Sequence, residues 1–471
     1  MAHPSPAGSV GELLRSLEDS LHLDDGRLEI DDEAAFRGRG VRQAIWSATF
    51  SEERDVIEAA RWLIWQASQA LGAPSWSIQD LYMARGRGEL GGFTVPAVNI
   101  RTQVFDMAAA MCRAAQSLDA GAIIFELARS EQEYTYQRPG EYVTGVLAGC
   151  ISAGWQGPVF VQGDHYQFNA KKYAADPEGT TEALRRLTRE AIEVGYGNID
   201  IDSSTLVDLS KPTVDEQQRV NYQRAAELAA LIRQHEPDGL TISIGGEIGE
   251  VGKQNSTEEE LRVYLDGFRR ELDRLAGPGA PGLSKVSVQT GTSHGGVPLP
   301  GGGVAEVKLD FDTLARLSAV CREYGMAGAV QHGASTLPDE LFDRFPQAEA
   351  AEIHLATGFQ NALYEHPAFP AELLREIEGW CYANTADERK EGETDTQFLY
   401  KTRKKALGPH KRELWELSTK DEIMAAQEAK FRFLFERLGV AGSRALVERH
   451  VPLQPRPRPA PDGLLAAAAG R

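Results

Sequence analysis

The chain has 471 residues, 42% of them hydrophobic and 25% charged, which suffices for one large domain with appendages or for two to three smaller ones. A formal net charge of -19 argues against nonspecific binding to nucleic acid or to an anionic membrane, while a phosphorylated ligand stays compatible through backbone N–H groups at helix N-termini. No apolar run approaches a membrane span, and the opening MAHPSPAGSVGELL lacks the charged-then-apolar pattern of a secretory signal. Cys112, Cys150, Cys321 and Cys381 are dispersed without CxxC spacing, so reduced core cysteines in a cytoplasmic protein are the expectation.

Residues 1–90 read as a helical extension. The segments EERDVIEAARWLIWQASQALG and SIQDLYMARGRGEL carry apolar residues at helical spacing, and the first forty residues are acidic and more weakly patterned. From residue 91 a rhythm begins. GFTVPAVNI, AGAIIFELA, PVFVQGDHY and NIDIDSST read as strands, then LTISIGGEIG, KVSVQTGTSHGG, GAVQHGAST and EAAEIHLATGF. Each precedes a helical pattern, the last being AELLREIEGWCYAN. The strands are apolar through both parities, as in a sheet covered on both faces. Eight units over residues 91–384 predict an α/β fold, a (β/α)8 TIM barrel, with a doubly wound open sheet as the alternative.

Residues 385–440 predict a charged helical arm. Its Phe398, Tyr400, Leu414, Trp415, Phe431, Phe433 and Leu434 form apolar stripes that pack on the barrel or on a neighbouring subunit. Arg403, Lys404 and Lys405 read either as a solvated basic patch or as partners of a distal phosphate. The tail, residues 441–471, is proline-rich in PLQPRPRPAPDG and is expected to be disordered.

Three of the 10 histidines sit where a strand gives way to glycine: His165 in VFVQGDHY, His294 in VSVQTGTSHGG and His332 in AGAVQHGAST. Singly, each reads as a satisfied buried histidine. Together, on parallel strands, they emerge at one end of the sheet, and three imidazoles with an open fourth position make a catalytic zinc site. Asp164, beside His165, is placed to exchange a proton with a substrate on that metal, or to cap the following loop. Period two puts Asp200 and Asp202 on one side of their strand. Glu247 in GGEIG can orient a metal ligand, bind metal itself or cap a helix. Ser335 and Thr336 precede Pro338, which suits a helix start that receives phosphate, and Thr357-Gly358 offers a second phosphate wall.

The order VPAVN, DH, ID(S), GGEIG, HGG, HGAS and a strand-eight loop resembles the class II, metal-dependent ketose-bisphosphate (fructose-bisphosphate) aldolases over residues 90–365. Each motif is weak alone; their order at strand ends is specific. The resemblance implies reversible aldol cleavage of a ketose bisphosphate, fructose 1,6-bisphosphate by default, to dihydroxyacetone phosphate and an aldehyde phosphate through a zinc-stabilised enediolate. It places His165, His294 and His332 on the ligands of one catalytic Zn2+ and Asp164 on the catalytic aspartate. Asp202 and Glu247 fall on acidic positions near the metal, where a second or monovalent ion also fits. Gly295, Gly333 and Ser335 fall on the phosphate loops. The expected partners are a phosphorylated sugar and further copies of this chain in a homo-oligomer, with no nucleic acid or membrane.

The departures are equally specific. Gln254 and Asn255 stand near the position of the family's loop acids, with Glu250 as a substitute, and no lysine follows His294. His354-Leu355-Ala356 replaces an Asn-x-Asp pattern, so a substrate-contacting carboxylate is missing. Glu126 or Arg129 compensates, or forms a rim ion pair. GDHYQFN also resembles the non-catalytic subunit of class II tagatose-bisphosphate aldolase, which lacks the full histidine set. An accessory subunit, and a barrel lyase with another substrate, are therefore the alternatives.

Overall fold

The computed structural model describes residues 3–249, 254–291, 299, 309–334 and 337–469. Three short strands of the N-terminal extension, β1 (Leu21–Asp24), β2 (Arg27–Ile30) and β3 (Ser75–Trp76), precede eight parallel strands at the centre: β4 (Val95–Asn99), β5 (Ile124–Ala128), β6 (Val159–Gln167) and β7 (Asn198–Asp202), then β8 (Ser243–Glu247), β9 (Lys285–Val288), β10 (Ala329–Gln331) and β11 (Glu352–Leu355). Each pairs with the next, and β11 returns to β4 with Glu352 opposite Val95 and Leu355 opposite Val98. The sheet thus closes on itself as a (β/α)8 barrel, which removes the open-sheet alternative.

The helices between strands follow from local chemistry. Asp176 caps the N-terminus of helix Pro177–Val194 through Gly179 N–H, with proline at the first helical position. Thr257 and Glu260 form a reciprocal capping box at the start of helix Glu258–Ala276. The expected helix after β10 is only a 3-10 turn, Asp339–Leu341, and a single turn, Arg344–Gln347. Pro338 and Pro346 leave too few donors there for a longer one. Among the described residues, no helix is long and apolar enough to cross a membrane.

The extension, expected as helical with a weakly patterned first forty residues, also holds an antiparallel ribbon of β1 (Leu21–Asp24) and β2 (Arg27–Ile30) and a short strand β3 (Ser75–Trp76) that pairs with β6. Asp25 and Gly26, both at positive φ, make the two-residue turn that the DDG run allows. The arm lies on the barrel: Phe431 stacks on Phe359 at 4.4 Å, and Lys420 pairs with Asp106 at 2.9 Å. The tail is corrected too. Helices Arg444–His450 and Asp462–Ala469 flank the proline-rich stretch, whose carbonyls accept indole N–H bonds, Trp62 to Arg458 at 3.0 Å and Trp65 to Arg456 at 2.9 Å. A proline-rich strand keeps its carbonyls free, so two tryptophans elsewhere in the chain can pin it, and composition alone does not show that partner.

Candidate active site

The barrel interior departs from the usual layers of branched apolar side chains. Glu126 on β5, Gln162 on β6, Asp200 on β7, Lys285 on β9 and Glu352 on β11 are all buried and joined to one another. The Lys285 ammonium donates to Gln162 Oε1 at 2.8 Å, pairs with Asp200 at 3.0 Å and makes a closer contact with Glu352. Gly245 on β8 leaves the room: a Cβ there would lie 2.3 Å from Asp200 Oδ1 and 3.0 Å from Lys285 Cε. Glu352 also accepts from Gln162 at 2.8 Å and from the Tyr82 hydroxyl. Burial opposes its ionisation, yet Lys285 and His354 hold its carboxyl down to about 2.

One turn of the pleat nearer the C-terminal mouth stand Asp164 on β6 and His354 on β11, each two residues on from a member of the buried layer. His354 Nε2 meets Glu352 at 2.7 Å, while its Nδ1 lies 3.2 Å from both Glu126 and Asp164. With carboxylates at both nitrogens, its pKa is raised well above the ordinary value although burial opposes the charge. Burial would lift the Asp164 carboxyl too; the adjacent imidazoles of His165 and His354 hold it well below the usual range. Its other oxygen accepts from Asn99 Nδ2 at 3.0 Å. Asp164 is therefore an ionised acceptor in a fixed orientation.

The pairing of β6 with β7 slips between Gly163 and Tyr166, and His165 in that bulge has φ +41°. A non-glycine residue there stores backbone strain, a cost accepted where it aims a side chain. The bulge turns His165 toward His332, ring centroids 4.1 Å apart, and the His332 ring lies in turn against His354, tilted by 59° at 4.1 Å. His165 Nδ1 is held by Asp202 at 3.1 Å and Glu247 at 3.2 Å, which directs Nε2 into the mouth. Asp164 Oδ1 lies 3.8 Å from that Nε2 and 3.5 Å from His332 Nε2. Burial and two neighbouring imidazoles hold His332 neutral, its pKa well below the ordinary value. Burial, with Asp202 alongside, pushes Glu247 up to about 7.

This donor set fits a divalent cation. His165 and His332 each offer a ring nitrogen, with the Asp164 carboxylate within 4.8 Å of both and free to face a group held between them, and His165 is oriented from behind by carboxylates, the arrangement metal-binding imidazoles need. His294, Gly295 and Ser335, expected as ligand and phosphate loops, lie outside the described residues, as does Glu250. Gly333 and Thr357 line the same cavity, about 410 Å³ in volume, as Asp164, His165 and His332. Asn255, one of the two residues near the family's loop acids, instead donates to Asp310 at 3.2 Å.

Several residues of the site escaped sequence reasoning. The sequence marks His354 only by the carboxylate it replaces, and it gives no motif for Glu352, Gln162 or Lys285. Period two was available: Glu352 and His354, like Asp200 and Asp202, must share one face. Arg101, just past β4, also reaches the cavity; it pairs with Glu131 at 2.7 Å and donates to Gln360 at 2.9 Å. Glu126, expected at the rim or as a compensating acid, is buried beside His354, and Arg129 lines the cavity and donates to the Gln167 carbonyl.

A family model described as Fructose-bisphosphate aldolase class-II matches residues 87–411. No curated protein matches the sequence. A solved structure of a probable tagatose 6 phosphate kinase from Sinorhizobium meliloti 1021 aligns over 80% of this chain and 97% of its own, at 18% identity and TM-score 0.53. A fructuronate-tagaturonate epimerase from Cohnella laeviribosi aligns over 89% of this chain and 93% of its own, at 12% identity and TM-score 0.56. At these identities the two structures speak to the fold.

Proposed function

Because the chain belongs to the class-II fructose-bisphosphate aldolase family, we propose that it is a metal-dependent aldolase acting on a phosphorylated ketose, with fructose 1,6-bisphosphate as the first substrate to test. The observation that carries this reading is the convergence of Asp164, His165 and His332 at the C-terminal mouth of a closed barrel. His165 and His332, with His294, would hold the ion, zinc in the first instance. When bound, it supplies the Lewis acidity that polarises a ketose carbonyl.

The protein groups divide the remaining work. Asp164 takes the hydroxyl proton as the carbon–carbon bond breaks and a carbonyl forms on the departing half, and returns it in the reverse direction. Asn99 and His354 keep its carboxylate ionised and aimed, so the acceptor is in position before substrate arrives. Asp202 and Glu247 fix the His165 ring. No lysine Schiff base is needed; Lys285 is enclosed by Asp200, Glu352 and Gln162 beneath the site.

His354 favours a second reading on the same site. A charged imidazole lines the cavity where the family pattern has a carboxylate, which suits a ketose other than fructose 1,6-bisphosphate. Ketose acids of the kind named for the Cohnella epimerase are then the next substrates to test. The deciding experiment is release of dihydroxyacetone phosphate from fructose 1,6-bisphosphate, with chelator and after zinc is restored. Release that stops with chelator and resumes with zinc is expected. No release by zinc-loaded protein removes fructose 1,6-bisphosphate and leaves the second reading.

A further inference from the structure

A (β/α)8 barrel is ordinarily filled by apolar side chains, and a buried ion pair commonly stabilises such a core no more than apolar residues of the same volume. The layer beneath this site is charged nonetheless, and the sequence makes room for it. Lys285 on β9 is fully buried, and the glycine at position 245 on β8 is what clears its Cε. Stability alone gives no reason for that arrangement. Its geometry does, because the ammonium is the hub from which two routes lead to the two nitrogens of His354.

The first route runs through Glu352. Its Oε1 takes the Lys285 ammonium, Gln162 Nε2 at 2.8 Å and His354 Nε2 at 2.7 Å, while Oε2 takes the Tyr82 hydroxyl. These donors fill the acceptor sites of an ionised carboxylate, which leaves Glu352 one orientation. Tyr82 belongs to helix Gln79–Gly86, whose Arg85 donates to the Ala350 carbonyl at 3.1 Å and to that of Phe93, just ahead of β11 and β4. Glu352 is thus gripped from the far end of the barrel as well.

The second route runs through Gln162. Its Oε1 accepts from Lys285 at 2.8 Å, which fixes the amide so that Nε2 donates to Glu126 Oε2 at 2.8 Å. Glu126 Oε1 then lies 3.2 Å from His354 Nδ1, the nitrogen that also meets Asp164 Oδ1 at 3.2 Å. Asp200 makes the ammonium necessary. It stands 3.7 Å from His354 Nε2 and 3.0 Å from Lys285 Nζ. Without the lysine, Asp200 and Glu352 compete for one edge of the imidazole and draw it away from Asp164.

We propose that Lys285 is a positioning residue for the reaction: through Glu352 and Gln162 it sets the orientation of the His354 ring, and through that ring the aim of Asp164, without touching substrate or metal. The role deepens the aldolase reading and rests on it for the reaction, whereas the orientation of the ring is a property of the protein alone.

The test compares the full-length, zinc-loaded protein with Lys285→Met, with Tyr82→Phe, and with Lys285→Met combined with His354→Asn. Zinc content, kcat and KM for fructose 1,6-bisphosphate are measured. Proton NMR follows the His354 Nδ1–H resonance, assigned by its loss in His354→Asn and referenced to its position in Asp164→Asn. In Lys285→Met, kcat is expected to fall about 10-fold or more, with KM within about threefold and zinc content unchanged. The resonance is expected to move toward its Asp164→Asn position. Tyr82→Phe removes one hydroxyl and keeps the buried charges; it should lower kcat about threefold or more with the same signature, and it decides the matter if Lys285→Met does not fold. In the His354→Asn background, Lys285→Met should lower kcat by less than about twofold more, since the routes are already cut. Equal fold losses in both backgrounds, an unchanged kcat, or a resonance that stays at its parent position overturns the proposal. If the parent cleaves no fructose 1,6-bisphosphate, the aldolase reading fails for that ester and the resonance alone decides: moved in Lys285→Met and Tyr82→Phe it upholds the positioning role, unmoved it overturns it.

Discussion

At the residue scale the site depends on Asp164 staying ionised and aimed. Asp164→Asn is expected to keep its metal and its far-UV circular dichroism while losing about a thousandfold or more in turnover; turnover within tenfold of the parent would remove Asp164 as the proton acceptor. His354 bridges Asp164 to the buried Glu352–Lys285 pair, so His354→Asn breaks an ion-paired network whose remaining charges stay buried. A loss of about 3–5 kcal/mol in unfolding free energy is expected, together with a fall in kcat larger than any change in KM. Glu126 gives a pH signature. Burial pushes its carboxyl from the ordinary 4.5 up to about 8, so the folded state holds that proton more tightly than the unfolded one. The stability it contributes is present below 4.5 and is lost as pH rises through about 8. Melting temperature should therefore decline between about pH 5 and about pH 9, and decline less in Glu126→Gln; parallel curves for the two proteins would contradict this. His165, His332 and Asp164 were legible from their strand-end positions. His354 and Glu352 were not, because comparison with a family pattern records which group is missing and not what the replacement touches.

At the element scale β6 carries the most information. Its bulge between Gly163 and Tyr166 gives Asp164 and His165 their orientations, and Gly163 is the residue that permits it: a Cβ there would lie 2.4 Å from the buried Tyr166 ring. Gly163→Ala is expected to cost about 1–3 kcal/mol in a denaturant melt and to lower metal occupancy, since the ring must move and the bulge with it. An unchanged midpoint with full occupancy would show that the bulge relaxes freely. Most of the strands were legible as short apolar runs leading into glycine, aspartate or histidine, whereas β4 and β5 end on Asn99 and Ala128 and were legible by their apolar residues alone. The bulge was not: period two gives a strand's faces, and nothing in GDHYQ marks the residue at which the period slips.

At the scale of the whole molecule, eight βα units were enough to foresee a closed barrel, since alternation and spacing are properties of the chain. The attachments were harder to foresee. The tail's order depends on Trp62 and Trp65, almost four hundred residues away in sequence, and Arg458 also lies on the Trp65 ring at 3.3 Å. Ending the chain after Val451 uncovers both indoles, so a lower melting temperature and a red-shifted tryptophan emission are expected; no change in either would show that the tail contributes nothing to the fold.

If the imidazoles at the barrel mouth hold a catalytic divalent ion, metal content reports it. Full-length protein, dialysed free of loose metal after zinc loading, is compared with His165→Ala, His294→Ala, His332→Ala and Asp164→Asn. The expected result is about one zinc per chain in the parent and in Asp164→Asn, falling to less than about a tenth in each histidine variant with circular dichroism retained. A parent that retains no zinc, or histidine variants that retain it in full, would contradict a metal centre at this site.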